Sequence, residues 1–143
     1  MVDGPTLRVE VVTPDGQVYG DAVEMVVVPG VEGELGILKG HQPLVSLLAI
    51  GETRVRRADA TIEHIATGIG YVQVLFDKVL VVVDHAELAG QIDAQRAEQA
   101  RVRAEERLQV RDDPGARAEV DFFRAEQALK RAHNRLRVAA RAR

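Results

Sequence analysis

Between residues 7 and 84 apolar and polar side chains alternate in short runs with period two, the spacing of strands that bury one face. Leu7-Arg8-Val9-Glu10-Val11 is the first such run, and Thr13-Pro14-Asp15-Gly16 ends it as a turn. Proline presets φ there and glycine accepts a positive φ. Further runs fall at 23–28, at 44–50 closed by Gly51, and at 53–56, 61–66, 68–74 and 79–83. Turn residues every 8–12 positions predict an antiparallel β-sandwich or barrel.

After Gly90 the period lengthens to three and four. Helices are expected over 92–110 and from Pro114 to about residue 140, in antiparallel pairing across the short link 111–115. Asp93 suits the first N-cap, with Ile92 and Ala97 placed as a hydrophobic staple. Asp113 suits the second N-cap, with Pro114 in the first helical position. Ala97, Ala100, Ala104 and Leu108 form one seam, and Phe122, Ala125, Leu129, Ala132, Leu136 and Ala139 form the other. Each alanine methyl hides little area at about 25 cal/mol per Å², so the hairpin should be less stable than a valine-rich sandwich. The fold class is therefore α+β in two modules, a β-sandwich over 1–88 and a helical hairpin over 89–143.

Composition sharpens this picture. The 143 residues include no Cys and no Trp, and aromatics reach only 3%, so aliphatic side chains must build the core and thiolate chemistry is excluded. No run of 18 apolar residues and no signal-peptide pattern occurs, which implies a soluble, cytoplasmic chain. The net charge of −3 is unevenly spread. Residues 1–91 hold 6 Lys/Arg against 13 Asp/Glu, and residues 92–143 hold 13 against 9. Acidic body and basic tail suggest separate partners, or each other.

Arg96 and Arg103 lie seven apart on one helical face, and Arg124, Arg131 and Arg135 share a face of the second helix. Antiparallel pairing carries both rows to one edge, where five guanidiniums repel unless an anion or acidic groups intervene. Bidentate phosphate binding answers that geometry; an ordinary solvated face is the alternative. The four histidines are scattered, the one serine (Ser46) sits in an expected strand, and no metal-ligand spacing is present. His64 alternates outward and reads as a surface residue. The chain offers no catalytic constellation and no metal site.

Val28-Pro29-Gly30-Val31-Glu32-Gly33-Glu34-Leu35-Gly36-Ile37-Leu38-Lys39-Gly40-His41-Gln42-Pro43-Leu44 has four glycines and two prolines to shape it, but no Lys-Ser/Thr pair to hold a phosphate. It reads as two buried strands joined by tight turns that display Glu34 and His41. The run closely resembles the signature of the epsilon subunit of F-type ATP synthases, although Lys39 stands where that family often has proline. Ile92-Asp93-Ala94-Gln95-Arg96-Ala97 resembles the motif by which some bacterial members bind ATP. Lys130-Arg131-Ala132-His133-Asn134-Arg135-Leu136 resembles the segment that supplies two further arginines.

The resemblance implies a non-catalytic rotor subunit of a proton-translocating ATP synthase, peripheral at the cytoplasmic face of the cell membrane. It implies that the sandwich grips the gamma subunit and rests on the c-ring, with Glu34 and His41 at that interface. It implies regulatory ATP at Glu87, Ile92, Asp93, Arg96, Ala97, Arg103, Arg131 and Arg135. It further implies a hairpin that extends toward the beta and alpha subunits and blocks hydrolysis. A free-standing ATP-sensing module is the second reading. A nucleic-acid adaptor is disfavoured by the tail's acidic residues and its lack of stacking aromatics beside the arginines.

Overall fold

The computed structural model describes residues 5–110 and 121–142. Nine strands precede two helices: β1 (Leu7–Thr13), β2 (Gly16–Gly30), β3 (Gly33–Leu38), β4 (His41–Leu48), β5 (Gly51–Arg57), β6 (Ile62–Thr67), β7 (Gly70–Phe76), β8 (Lys78–Val83), β9 (Ala86–Leu88), α1 (Ala94–Gln109) and α2 (Phe122–Ala139). The architecture is the expected sandwich followed by a two-helix hairpin.

Strand order is β1-β8-β7-β4-β2-β5-β6-β9, with β3 paired to β2 and β1 also paired to β2. The fifteen-residue β2 serves both layers: its first half runs against β1, and its second half runs between β3 and β5. A register shift between Val23 and Met25, opposite Arg57 and Arg56, lets the strand change layer. All pairings are antiparallel except β1 with β8, which is parallel. The period-two pattern cannot reveal that exception, because alternation places side chains on a face without stating strand direction.

Valine and isoleucine supply most of the core. Val9, Val11, Val23, Val26, Val28, Ile37, Val55, Ile65, Val72, Val74, Val79 and Val81 are fully buried between the layers. These β-branched side chains pack well on a pleated surface, so the near absence of aromatics leaves no deficit. The glycine-rich run departs from expectation. Only Ile37 of β3 is buried, and Glu34, Gly36 and Leu38 are exposed. Here β3 is an outer strand of a β2–β3 hairpin rather than a buried one, because its glycines give it little side chain to bury. Gly40, with φ +86, carries the turn into β4, so the turn does not depend on a proline at Lys39.

Asp93 caps α1 as expected, its Oδ1 accepting from the Arg96 N–H at 3.0 Å. The expected second cap Asp113 and the first-turn Pro114 lie outside the described residues. The helix that carries the second seam begins at Phe122, where Asp121 accepts from the Arg124 N–H at 3.1 Å. The seams form as read: Ala97, Ala104, Ala125, Ala132 and Ala139 are buried, and Leu108, Leu129 and Leu136 are half-buried.

Candidate functional site

The hairpin lies on the outer face of β5, β6 and β9. Cα pairing aligns Glu52 of β5 with Ala66 of β6 and Glu87 of β9, so two carboxylates flank one methyl on that face. α2 and the turn after it meet this row with Asn134, Arg135, Val138 and Arg141. Val138 joins Ala66 and Ala89 in a small apolar cluster, with Ile92 packed against it. Asn134 is 3% exposed, and its Nδ2 donates to the Gly51 carbonyl at 2.7 Å. Arg135 Nη2 donates to Glu87 Oε2 at 3.1 Å, and Arg141 Nε donates to Glu52 Oε2 at 3.3 Å. Two glutamates, an asparagine and two arginines thus tie the modules where alanine alone would bind weakly.

Beside these contacts a cavity of about 220 Å³ opens between sandwich and hairpin. Its wall includes Thr67, His85, Glu87, Ala100, Arg131 and Arg135. Arg135 Nε lies 2.7 Å from Glu87 Oε1, yet it is buried and not aligned to donate a hydrogen bond. With Nη2 also bonded to Glu87, the guanidinium is ion-paired along one edge, so an anion entering the cavity would share it with that carboxylate.

Of the residues assigned to nucleotide contact, Glu87, Arg131 and Arg135 share this wall. Arg96 and Arg103 are exposed on α1, outside it, as is Arg124 on α2. Ile92 is half-buried beneath the hairpin, Asp93 is engaged as the helix cap, and Ala97 is fully buried in the seam. Each of these three has a structural duty in the docked hairpin.

Beside Glu52, with which it shares the partner Arg54, Glu34 accepts from Arg54 Nη1 at 2.8 Å and from Nη2 at 3.2 Å. This bidentate bond holds the Glu34 carboxyl below its ordinary range and raises Arg54. His41 opens β4 opposite Phe76, with Nδ1 2.8 Å from the Gln42 carbonyl oxygen. Nearby, β4 and β7 leave an apolar face uncovered: Val45 is 67% exposed and Leu47 65%, with Tyr71 opposite Leu47. None of these three was singled out from sequence, because alternation around polar Ser46 would put Val45 and Leu47 on the buried face, whereas the structure turns them outward.

Glu52, Asn134 and Arg141 were also missed, and the expectation for His64 is corrected. His64 is not on open surface: its side chain is 20% exposed and its Nδ1 lies 3.5 Å from Glu52 Oε2. The strand face that would be solvated in an isolated sandwich is covered by α2. Among the described residues no helix is long and apolar enough to cross a membrane, and no group of three or more His, Cys, Asp or Glu side chains is placed to hold a metal ion.

The comparisons with known proteins address both modules. The family model described as ATP synthase, Delta/Epsilon chain, beta-sandwich domain matches residues 6–89, and its long alpha-helix domain matches residues 91–140. The ATP synthase epsilon chain of Halalkalibacterium halodurans is 50% identical over 105 residues, 73% of this chain and 78% of that one. That of Priestia megaterium is 48% identical over 108 residues, 76% of this chain and 80% of that one. A chain in the Euglena gracilis mitochondrial ATP synthase OSCP/F1/c-ring structure superposes with a TM-score of 0.75 at 21% identity, covering 98% of this chain and 84% of its own, a likeness of fold. Matched through strands and helices alike, the chain belongs to the ATP synthase delta/epsilon family.

Proposed function

We propose that this chain is the epsilon subunit of a bacterial ATP synthase, a non-catalytic component of the central stalk that regulates ATP hydrolysis through its hairpin. The observation that carries this reading is the family match across both modules. The uncovered apolar face of Val45, Leu47 and Tyr71 supports a protein partner on the sandwich, since exposed apolar patches of this kind mark interaction sites. Gamma is the partner proposed for it, with Glu34 and His41 near the c-ring and the complex held peripherally at the cytoplasmic face of the membrane. The basic hairpin, when extended, suits acidic segments of the beta and alpha subunits by charge complementarity.

Regulatory ATP is proposed for the cavity between hairpin and sandwich. Arg131 and Arg135 on its wall offer two guanidiniums to a phosphate, Arg135 by exchanging its Glu87 partner for it. Drug-sized ligands occupy roughly 300–1,000 Å³, so ATP would extend beyond the cavity toward Arg96 and Arg103 on α1. When bound, it supplies a polyanion that bridges both helices. A ligand that prefers the docked hairpin shifts the equilibrium by its differential affinity.

Two measurements test the proposal separately. Co-purification with gamma from a reconstituted mixture is expected, and failure removes the rotor assignment. Saturable ATP binding by the isolated chain is expected to weaken in Arg96→Ala and Arg131→Ala. Unchanged binding in both variants would defeat the arginine site while leaving the rotor role intact.

A further inference from the structure

The inter-module contacts contain a conflict that nucleotide binding does not use. Glu52 is only 8% exposed and is surrounded by cations. Arg54 Nη1 approaches its Oε1 at 3.2 Å, while Arg141 Nε, at 3.3 Å, and His64 Nδ1, at 3.5 Å, both address Oε2. The His64 Nδ1 is buried and makes no hydrogen bond. The three positions around this carboxylate differ in freedom. Arg54 belongs to the same strand and is also held by Glu34 on β3, and His64 sits on neighbouring β6. Arg141 alone comes from the hairpin side.

We propose that Glu52 is a shared acceptor for which Arg141 and protonated His64 compete, so that acidification releases the end of the hairpin from the sandwich. Neutral His64 leaves Oε2 to Arg141. A charged imidazolium would add a third cation beside Glu52, which already faces Arg54 and Arg141. Glu34 offsets Arg54, which it holds bidentately, but Arg137 of α2 adds positive charge where it donates to Asn134 Oδ1 at 3.2 Å, so the excess remains positive. The arrangement relaxes when one cation departs, and Arg141 is the one that departs without breaking a strand pair. His64 then serves Glu52 in its place. By linkage, if an undocked Arg141 favours the proton on His64, the proton favours undocking to the same extent. Histidine is the side chain that ordinarily changes charge between about pH 5 and 8, which is the range the test spans.

The absence of cysteine from the chain allows a direct test in the full-length protein. Donor and acceptor dyes on Lys39→Cys and Lys130→Cys, both exposed positions, report hairpin docking by energy transfer without nucleotide. Transfer in the wild-type background is expected to change reversibly as pH falls from about 8 to about 5. His64→Gln, which cannot carry the charge, should abolish that change. Arg141→Ala and Glu52→Gln should each show the low-pH transfer already at the upper end of the range and respond little to acid. A wild-type signal that does not move with pH overturns the proposal. So does a full response in folded His64→Gln, which would assign it to another histidine such as His85 or His133, and so does a fully docked signal from Arg141→Ala. Circular dichroism of each variant separates release from misfolding. ATP binding is read independently, so its failure leaves this result standing.

Discussion

Gly70 begins β7 opposite Val83 of β8, and its missing side chain is a packing requirement. A Cβ placed there would lie 1.9 Å from the Val82 carbonyl oxygen, a clash with backbone that no rotamer change relieves. Gly70→Ala is expected to destabilise the chain by about 1–3 kcal/mol, the range for overpacking, as read by urea denaturation. Gly90→Ala, with open space around its Cβ, should leave the midpoint nearly unchanged. A second residue-scale expectation concerns Glu34. Its carboxyl is held low chiefly by the hydrogen bond from Arg54, so the contribution of this pair is present above the unfolded carboxylate value of about 4.3 and is lost as pH falls through the folded value. NMR titration should find the Glu34 midpoint below the ordinary range, and Arg54→Gln should move it upward; no movement would assign the shift to another cause. Such pairings are hard to read from a sequence. Glu52 and His64 appear as outward residues of amphipathic strands, and that placement is correct. Their burial comes from a helix some 70 to 90 positions away, and period two carries no information about what covers a face.

At the scale of elements, the hairpin depends on methyl groups that permit close approach. Ala97 and Ala132 are almost fully buried in the two seams, so there is little room for a larger side chain. Ala132→Leu should force the helices apart at a cost of about 1–3 kcal/mol, with hydrogen exchange accelerated in α1 and α2 and unchanged in β7 and β8. Equal acceleration in the strands would mean that the modules unfold as one cooperative unit. The seams were legible because the three-and-four spacing of small residues is a local property. Most β-strands were legible through alternation, but β9 and the first half of β2 carried no such run, and β3 was read as buried. Leu35, Ile37 and Leu38 make the run look like a buried strand, yet of the three only Ile37 is fully buried. The helix over Phe122–Ala139 has Asp121 as its cap, a position the reading of a helix running on from Pro114 passed over, while Asp113 and Pro114 themselves lie outside the described residues.

For the whole molecule, the decisive property is the division of charge between an acidic body and a basic tail, which was visible in the sequence and acquires a location in the structure. Arg135–Glu87 and Arg141–Glu52 both cross from hairpin to sandwich. Each arginine keeps part of its surface in water, so ions can reach the pair and screen it. The strand ladders and the valine core have no such sensitivity. Raising salt from about 0.01 M to about 1 M shortens the Debye length from about 30 Å to about 3 Å, and should therefore accelerate exchange at the docked end of α2 before it affects β1 or β8. The Asn134 to Gly51 hydrogen bond is buried and uncharged, so it sets a limit on that effect. In wild type, salt should loosen docking without abolishing it, whereas in Asn134→Ala the same salt step should release the hairpin more completely. If Asn134→Ala and wild type respond alike, the asparagine does not hold the interface, and the apolar contact of Val138 with Ala66 and Ala89 must carry what the charges do not.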